Sequence, residues 1–425
     1  MTPHEQNELL TRTGPGTPMG NLLRRYWIPA LLAQEVPEPD CPPVRVKLLS
    51  ERLLAFRDTQ GKVGIIDEFC AHRGVSLWFG RNEENGLRCA YHGWKYDVTG
   101  RCVEVPSEPE ESGFCKKIRL KSYPSIDLGD VIWVYMGPTE LKPPLPAFEW
   151  VQVPHAHRFI TKRTQDCNYL QAMEGGIDSA HVSFLHRHEL RSDSLHVGQG
   201  AELTRETDAR FEVVETSGGM VVGVRRPAPN GHLYWRITQW IMPFHTMIPP
   251  YGDNALNGHA WVPIDDESCM AWCFTHHPTR ALTAHELEVM RNGGGIHVQL
   301  IPGSFRSVVN KDNDYMIDRA AQRASKTYSG VAGIAMQDAA IQESMGPIQD
   351  RSKENLVSTD NAVIMARIRL RKGVLAAEQG REPDGLDPAT HAVRSASIVL
   401  PEDASFIQAA ADALKAREGV AHTSV

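Results

Sequence analysis

The chain of 425 residues lacks long apolar runs, an excess of positive charge and a dense set of cysteines. Nowhere do about eighteen apolar residues follow one another, so we expect no membrane-spanning helix. The formal net charge of −7 gives no electrostatic basis for binding nucleic acid. The first 16 residues contain no apolar core of the signal-peptide kind, and we therefore expect a cytoplasmic protein.

The eight cysteines do not suggest a disulfide framework, because they are few for this length and irregularly spaced. Two of them belong to a pattern of metal ligands. The other six are irregularly spaced, and we expect them to be packed thiols: Cys41, Cys102, Cys115, Cys167, Cys269 and Cys273. This usage predicts a reducing compartment.

The strongest pattern pairs one cysteine with one histidine twice. Cys70 and His72 form C-x-H, and sixteen residues later Cys89 and His92 form C-x-x-H. Four such ligands could hold one zinc ion in a tetrahedron. They could also hold a [2Fe–2S] cluster with both cysteines on one iron and both histidines on the other, the Rieske arrangement. Glycines beside both pairs favour the cluster, since they let backbone N–H groups approach its sulfurs.

Short strand patterns surround this motif and predict a small all-β domain. They include VRVKLLSERLLAFRD, GKVGIIDEF and LGDVIWVYMG, with turns at residues 59–61 and 99–100. The proline-rich stretch 138–154 is the predicted linker. We predict a first domain over residues 1–150, with its cluster-bearing core at about 40–138, and a second domain over residues 151–425.

The second domain begins with a helical segment at 167–190, and alternating strand patterns follow over 201–275. Helical patterns return after Thr283, in LTAHELEVMRN, in the 315–350 region and at 360–378. Strands followed by helices predict an α+β domain with an antiparallel sheet.

A second metal pattern, Asp178-x-x-His181-x4-His186, lies inside the 167–190 segment. Two imidazoles and one carboxylate form the facial triad of non-haem Fe(II) oxygenases. On a continuous helix, His186 would point about 140° away from His181. We therefore expect the helix to break or bulge between them if both bind one metal. Asp178 is the carboxylate nearest in sequence.

Together the two patterns resemble the oxygenase component of Rieske non-haem iron aromatic ring-hydroxylating oxygenases, and the resemblance spans nearly the whole chain. The segments LQAMEGGIDSAHVSFLH and IQESMGPIQDRSKENL are similar to the phthalate dioxygenase-like branch, whose substrates are aromatic carboxylates. The resemblance implies an α+β fold with an N-terminal all-β Rieske [2Fe–2S] domain. A C-terminal helix-grip catalytic domain with an antiparallel sheet and helices would follow.

The resemblance also implies the ligands of each centre. The Rieske cluster would be held by Cys70, His72, Cys89 and His92. A mononuclear Fe(II) would be held by His181, His186 and a late aspartate. For this aspartate we predict Asp338, about 150 residues after the histidines, ahead of the weaker choices Asp350, Asp314 and Asp318.

Asp178 then has a different implied role, as a hydrogen-bonded bridge for electrons. It would link an iron histidine to a Rieske histidine of a neighbouring subunit. A carboxylate between two metal-bound imidazoles orients both rings and shortens the electron path. The bridge implies a homotrimer, or a hexamer of stacked trimers.

The implied reaction adds both atoms of O₂ to an aromatic carboxylate and yields a cis-dihydrodiol. Candidate substrates are phthalate, isophthalate, a chlorobenzoate or a phenoxybenzoate. Electrons would come from a separate NAD(P)H-dependent reductase with flavin and a plant-type [2Fe–2S] centre. The chain itself shows no G-x-G-x-x-G pattern after a strand.

A carboxylated ring requires a cation in an otherwise apolar pocket, and arginine suits this role. Arg236 in LYWRITQW is the first candidate and Arg210 in ARFEVV the second. Ser179, two residues before His181, is a further candidate for the pocket lining. Arg225 and Arg226 lie close to a Pro-Asn-Gly turn, and we expect both to be solvated.

Three alternatives remain open at this point. The first is a Rieske monooxygenase or O-demethylase of an aromatic acid, since a fold does not fix a function. The second is a Rieske-type electron carrier without catalysis, and the third is a zinc-bound interaction module.

Overall fold

The computed structural model describes residues 2–191, 193–196 and 200–416, and these form two compact units. The smaller unit consists of Gly14–Gly16 and Leu23–Pro143. The larger unit contains the chain from Pro144 onward and also the N-terminal helix. This helix lies within the first domain as predicted from the sequence, residues 1–150. Across the described residues, no helix has both the length and the apolar character needed to cross a membrane.

The smaller unit contains three antiparallel sheets, with the strand orders β1-β11-β10, β2-β3-β4-β9 and β5-β6-β7-β8. Their bounds are β1 (Trp27–Leu32), β2 (Val44–Leu48), β3 (Glu51–Arg57), β4 (Val63–Asp67), β5 (Arg81–Glu83), β6 (Gly86–Arg88), β7 (Lys95–Tyr96), β8 (Cys102–Glu104), β9 (Ser122–Tyr123), β10 (Ser125–Leu128) and β11 (Val131–Tyr135). Every residue of β11 is apolar or aromatic and buried, because the strand lies between β1 and β10. The all-β prediction for this region is confirmed.

A shared core joins β3 and β4 to the small β5–β8 sheet. It contains the fully buried side chains of Phe56, Ile66, Leu87 and Tyr96, and also the two motif cysteines. This packing fixes the sheet that carries the cysteine–histidine loops.

The larger unit is built on one antiparallel sheet with the order β12-β18-β17-β16-β15-β14-β13, and β19 pairs with β15. The strands are β12 (Arg158–Gln165), β13 (Arg210–Thr216), β14 (Gly219–Ala228), β15 (His232–Ile241), β16 (His245–Ile248), β17 (Leu256–Pro263), β18 (Cys269–His276) and β19 (Ala396–Pro401). This arrangement confirms the predicted α+β domain with an antiparallel sheet.

Nine α-helices lie within the described residues, most of them in the larger unit. They are α1 (Pro3–Thr11), α2 (Pro18–Leu23), α3 (Glu149–Gln152), α4 (Tyr169–Ile177), α5 (Ala284–Arg291), α6 (Arg319–Arg323), α7 (Ile334–Ser344), α8 (Asn361–Glu378) and α9 (Phe406–Ala409). Helix α4 packs closely on β17: a Cβ at Gly176 would lie 2.3 Å from the Trp261 ring. Only glycine permits this approach.

The predicted helical segment 167–190 is one short helix followed by a turn. Helix α4 ends at Ile177, and Asp178 has extended backbone angles (φ −83°, ψ 115°). A 3₁₀ turn then covers His181–Ser183. The expected break is therefore confirmed, but it begins before His181 rather than between the two histidines. The predicted 315–350 helical region is likewise divided, into α6 and α7.

Candidate metal centres and active-site pocket

The two cysteine–histidine loops of the smaller unit have the same backbone hydrogen bonds. In each loop the cysteine N–H donates to the carbonyl five residues later, at 2.9 Å for Cys70 and 2.8 Å for Cys89. The glycine four residues after each cysteine donates back to the cysteine carbonyl. The tight turn requires φ of +73° at Gly74 and +74° at Gly93, which suits glycine.

The loops present their ligands in two layers. Cys70 and Cys89 are 3% exposed, whereas His72 and His92 lie on the surface. The two imidazole rings are 4.6 Å apart, and the His72 ring stacks on Trp94. Two thiols inside and two imidazoles outside form a donor set that fits a Rieske cluster, with its histidines toward electron partners.

Tyr96 adds a hydrogen bond to this centre. Its hydroxyl accepts from the Ala71 N–H at 3.2 Å and lies 3.2 Å from Cys70 Sγ. Because one lone pair already receives the Ala71 N–H, the O–H is free to donate to the sulfur. Such a bond stabilises the more negative, reduced form of a cluster.

Replacing Tyr96 with phenylalanine is therefore expected to lower the reduction potential of the cluster. We expect a fall of roughly 60 mV, equivalent to about 1.4 kcal/mol for one electron. A spectroelectrochemical titration measures it. Tyr123→Phe is the matched control, because the Tyr123 hydroxyl bonds to Glu51 instead. An unchanged potential in Tyr96→Phe would show that the hydroxyl does not donate to the sulfur.

Three of the predicted iron ligands converge in the larger unit. His186 Nε2 lies 3.0 Å and His181 Nε2 3.5 Å from Asp338 Oδ1. One ligand atom from each residue lies within 4.8 Å of the other two. Two imidazoles and a carboxylate at this spacing fit the facial triad.

The histidines converge because the chain leaves the helical path after Ile177. The Asp178 side chain accepts from the Ala180 N–H at 2.7 Å, which turns the backbone toward the pocket. The two imidazole planes then meet at 80°, and both Nε2 atoms face Asp338. Asp338 comes from α7, far along the chain.

Each imidazole has a partner on its other ring nitrogen. His181 Nδ1 lies 3.2 Å from Asp178 Oδ2, and His186 Nδ1 lies 2.7 Å from Gln337 Oε1. These contacts place Asp178 behind His181 and not within the triad. Burial disfavours ionisation of Asp338, but His186 and His181 outweigh it and lower the pKa of its carboxyl to about 2. The aspartate is thus ionised and able to bind a cation.

A pocket opens beside this centre, and two predicted substrate residues line it. Arg236 is 5% exposed, and its guanidinium lies 4.8 Å from the centre of the Tyr251 ring. Its Nε and Nη1 atoms have no hydrogen-bond partner among the described residues. Ser179 is 5% exposed and also lines the pocket. Apolar lining residues include Val182, Leu190, Ile248, Pro249, Ile296 and Trp261.

The prediction for Arg210 is wrong. Its side chain is 68% exposed and pairs with Asp208 at 3.1 Å. It lies on β13, the last strand of the sheet, whose side chains are mostly exposed or half-buried. Alternation along this strand therefore does not mark a pocket face.

The expectation for Arg226 is also wrong, since this residue is fully buried. Its guanidinium donates to the Ser179 carbonyl at 2.7 Å and to Ser183 Oγ at 3.2 Å. These bonds tie the turn that contains His181 to strand β14. Arg225 is half-buried and lies near Glu212.

Two pocket residues were missed in the sequence. Arg163 of β12 is 4% exposed, donates to Gln165 Oε1 at 2.6 Å and has no carboxylate partner among the described residues. His259 stacks on Trp261, with ring centres 4.9 Å apart. Burial, followed by the nearby Arg163, lowers the pKa of His259 to about 3, so this ring is neutral at pH 7. Only the strand alternation around each residue could have indicated them.

Comparisons with known proteins match both units. Residues 26–124 match the family described as "Rieske [2Fe-2S] domain", and residues 134–416 match "LigXa C-terminal domain like". The 3-chlorobenzoate-3,4-dioxygenase oxygenase subunit of Comamonas testosteroni is 38% identical, over 91% of this chain and 92% of that protein. The phthalate 4,5-dioxygenase oxygenase subunit of Pseudomonas putida is 40% identical, over 90% of this chain and 88% of that protein.

Solved structures support the fold. Dicamba monooxygenase bound to 3,6-dichlorosalicylic acid is 18% identical, with a TM-score of 0.59, over 84% of this chain and 99% of that chain. The NdmB protein of Pseudomonas putida CBB5 is also 18% identical, with a TM-score of 0.59, over 92% of this chain and 99% of that chain.

A cluster-binding β domain joined to a catalytic domain with a two-histidine, one-aspartate cluster defines the catalytic subunits of iron-dependent oxygenases. This chain belongs to the Rieske oxygenase family. It is an oxidoreductase whose cofactors are a [2Fe–2S] cluster and a mononuclear non-haem iron. Such oxygenase subunits act with an aromatic substrate, O₂ and a separate electron-transfer partner.

Proposed function

We propose that this chain is the oxygenase subunit of a dioxygenase that cis-dihydroxylates an aromatic carboxylate. This proposal rests mainly on the buried Arg236, which has no carboxylate partner among the described residues and lines a largely apolar pocket beside His181, His186 and Asp338. A buried cation needs an anion, and a bound carboxylate supplies one. The relatives named for 3-chlorobenzoate and phthalate support this substrate class.

In this proposal, His181, His186 and Asp338 would hold the iron, which would supply the activation of O₂. Cys70, Cys89 and the two loop histidines hold the cluster. Arg236 binds the substrate carboxylate. Ile248 and Trp261 pack against the ring and keep water from it. The Asp178 carboxylate accepts a hydrogen bond from His181 Nδ1–H, which leaves Nε2 directed at Asp338.

Replacing Arg236 with glutamine is expected to raise the KM for an aromatic acid about 10- to 150-fold, because a charged hydrogen bond of about 1.5–3 kcal/mol is lost. We expect kcat to change little, because the contact is equal in ground and transition states. Steady-state kinetics with benzoates, and with the matching neutral amides, measure the effect. The Arg210→Gln control removes an exposed arginine and should leave KM unchanged. An equal KM in both variants would contradict the assignment.

The function is tested by measuring turnover of phthalate, isophthalate, chlorobenzoates and phenoxybenzoates with ¹⁸O₂. Electrons are supplied by an NAD(P)H-dependent reductase that contains flavin and a plant-type [2Fe–2S] centre. A cis-dihydrodiol with two labelled oxygen atoms is the expected product. The 5,5'-dehydrodivanillate O-demethylase oxygenase subunit of a Sphingobium strain is 30% identical over 91% of this chain, which favours O-demethylation as a second candidate. Release of formaldehyde from an O-methylated aromatic acid, with no labelled atom in the phenol that remains, would replace our proposal by this one.

We also propose a homotrimer, or two stacked trimers, in which Asp178 passes electrons between subunits. Asp178 lines a second, open cavity as well as the pocket, and its side chain is 28% exposed. Exposed apolar residues surround that cavity: Ile341, Met345 and Leu356. The smaller unit exposes Trp78, Phe79 and Tyr91, and the Tyr91 ring lies beside His92. Exposed apolar patches of this kind mark interaction sites.

In the proposed closed ring, the loops that carry His72 and His92 in one copy cover the Asp178 cavity of the next copy. Such a contact is heterologous, because it joins two different surfaces of the same chain. Sedimentation or light scattering is expected to give three or six times the 47.3 kDa of one chain. A fully active monomer would exclude the bridge.

A further inference from the structure

A fully buried amide lies directly behind one of the proposed iron ligands. Gln337 of α7 precedes Asp338 and is 0% exposed. Its Oε1 lies 2.7 Å from His186 Nδ1. Its Nε2 donates to the Val331 carbonyl at 3.0 Å and also to Glu189 Oε1. Every polar atom of this side chain therefore has a partner.

These contacts fix the orientation of the amide. A backbone carbonyl is only an acceptor, so the atom that faces Val331 O must be the NH₂ group. This holds whether or not Glu189 carries a proton. Oε1 must consequently face His186, and it offers only lone pairs. His186 Nδ1 must then carry the hydrogen, and its Nε2 lone pair faces Asp338.

The partner of the other histidine differs in charge. His181 donates to the carboxylate of Asp178, whereas His186 donates to a neutral amide. A carboxylate partner makes an imidazole a more basic ligand than an amide partner does. The two histidines are thus chemically inequivalent, although both face the same aspartate.

We propose that Gln337 is a positioning residue that fixes the tautomer and rotation of His186 for metal binding, with Glu189 and Val331 holding its amide. The inference rests on the proposed role of His186 as an iron ligand. It predicts that the amide affects metal affinity and ligand geometry, and not only turnover.

The experiment uses the full-length protein with its cluster in place, after mild chelation of the mononuclear metal. Competition with a chromophoric chelator gives the Fe(II) affinity, and the absorption spectrum of the Co(II)-loaded protein reports ligand geometry. We expect Gln337→Leu to weaken Fe(II) binding about 10- to 100-fold and to change the Co(II) spectrum. Gln337→Glu keeps an acceptor at His186 Nδ1 but loses the amide donor to Val331 and Glu189, so it should recover part of the affinity.

Gln239→Leu is the matched control. Gln239 is 4% exposed on β15, and its amide donates to the Arg394 carbonyl at 3.1 Å, away from the metal ligands. We expect wild-type affinity and spectrum in this variant. If Gln337→Leu does not fold, Glu189→Leu is measured in its place. This variant removes one of the two acceptors that hold the amide. A smaller loss of Fe(II) affinity together with an altered Co(II) spectrum would support the proposal.

Wild-type affinity and spectrum in Gln337→Leu, or in Glu189→Leu where that variant is the one measured, would overturn the inference. Equal losses in Gln337→Leu and Gln337→Glu would also overturn it, since they would show that the side chain only fills space. His186→Ala separates this failure from that of the proposed function. If His186→Ala binds Fe(II) as the wild type does, then His186 is not a ligand and the proposed function itself fails.

Discussion

Asp338→Ala is expected to lose the mononuclear iron and all oxygenase turnover, while the [2Fe–2S] cluster remains at full occupancy. Asp338 Oδ1 is the carboxylate oxygen within 3.5 Å of both His181 Nε2 and His186 Nε2 among the described residues. Without it, two neutral imidazoles remain and the charge that holds a divalent cation is lost. Iron and acid-labile sulfide analysis, with product assays, measures the outcome.

The control for this variant is Asp350→Ala. Asp350 was a weaker candidate from the sequence, and the structure places its carboxylate on Ser352 and Lys353, at the start of a 3₁₀ turn. We expect full iron content and turnover in this variant. Wild-type iron content in Asp338→Ala would remove the aspartate from the centre and would reopen the choice of carboxylate.

Asp178→Asn is expected to lower turnover about 100-fold while both metal centres stay loaded. The asparagine can keep the bond to the Ala180 N–H, so the turn is retained. It loses the negative charge that faces His181 Nδ1 at 3.2 Å. Electrons should then accumulate on the cluster, and stopped-flow reoxidation of the reduced cluster should slow to the same extent.

The chain contains a close structural match for this control. Asp193 accepts from the Leu195 N–H at 2.9 Å and pairs with His196 at 3.3 Å, in the same D-x-x-H arrangement. Asp193→Asn therefore makes an equal chemical change at a carboxylate that pairs with His196 and not with His181. We expect normal reoxidation of the cluster in this variant. Equal slowing in both variants would point to a general loss of stability.

Most of the proposed metal ligands could be predicted from the sequence because their patterns are local. Each cysteine–histidine pair lies within one loop, so spacing alone indicates the donor set. Helix geometry predicted a break between His181 and His186, since a continuous helix would separate the histidines; the helix in fact ends earlier, at Ile177. Asp338 was different: it lies on another element, and only the family resemblance indicated it.

The pocket was less predictable, because alternation along a strand does not tell which face is covered. Arg236 and Arg210 show the same pattern in sequence, but Arg236 lies on an interior strand and Arg210 on an edge. Arg226 lies close to a turn in the sequence, yet it is buried and donates hydrogen bonds to Ser179 and Ser183. These contacts join segments far apart in the chain, and no local rule indicates them.

The close packing of α4 against β17 limits which residues of the proposed substrate pocket can be changed. At Gly176 even one methyl group would meet the Trp261 ring, so this face of the helix that precedes the histidine turn has no room for a larger side chain. Strand side chains such as Thr238 and Ile248 also line the pocket, and shorter side chains there would enlarge it. For the proposed aromatic-acid substrates, more space is therefore best sought among the strand residues, which leaves the proposed iron ligands in place.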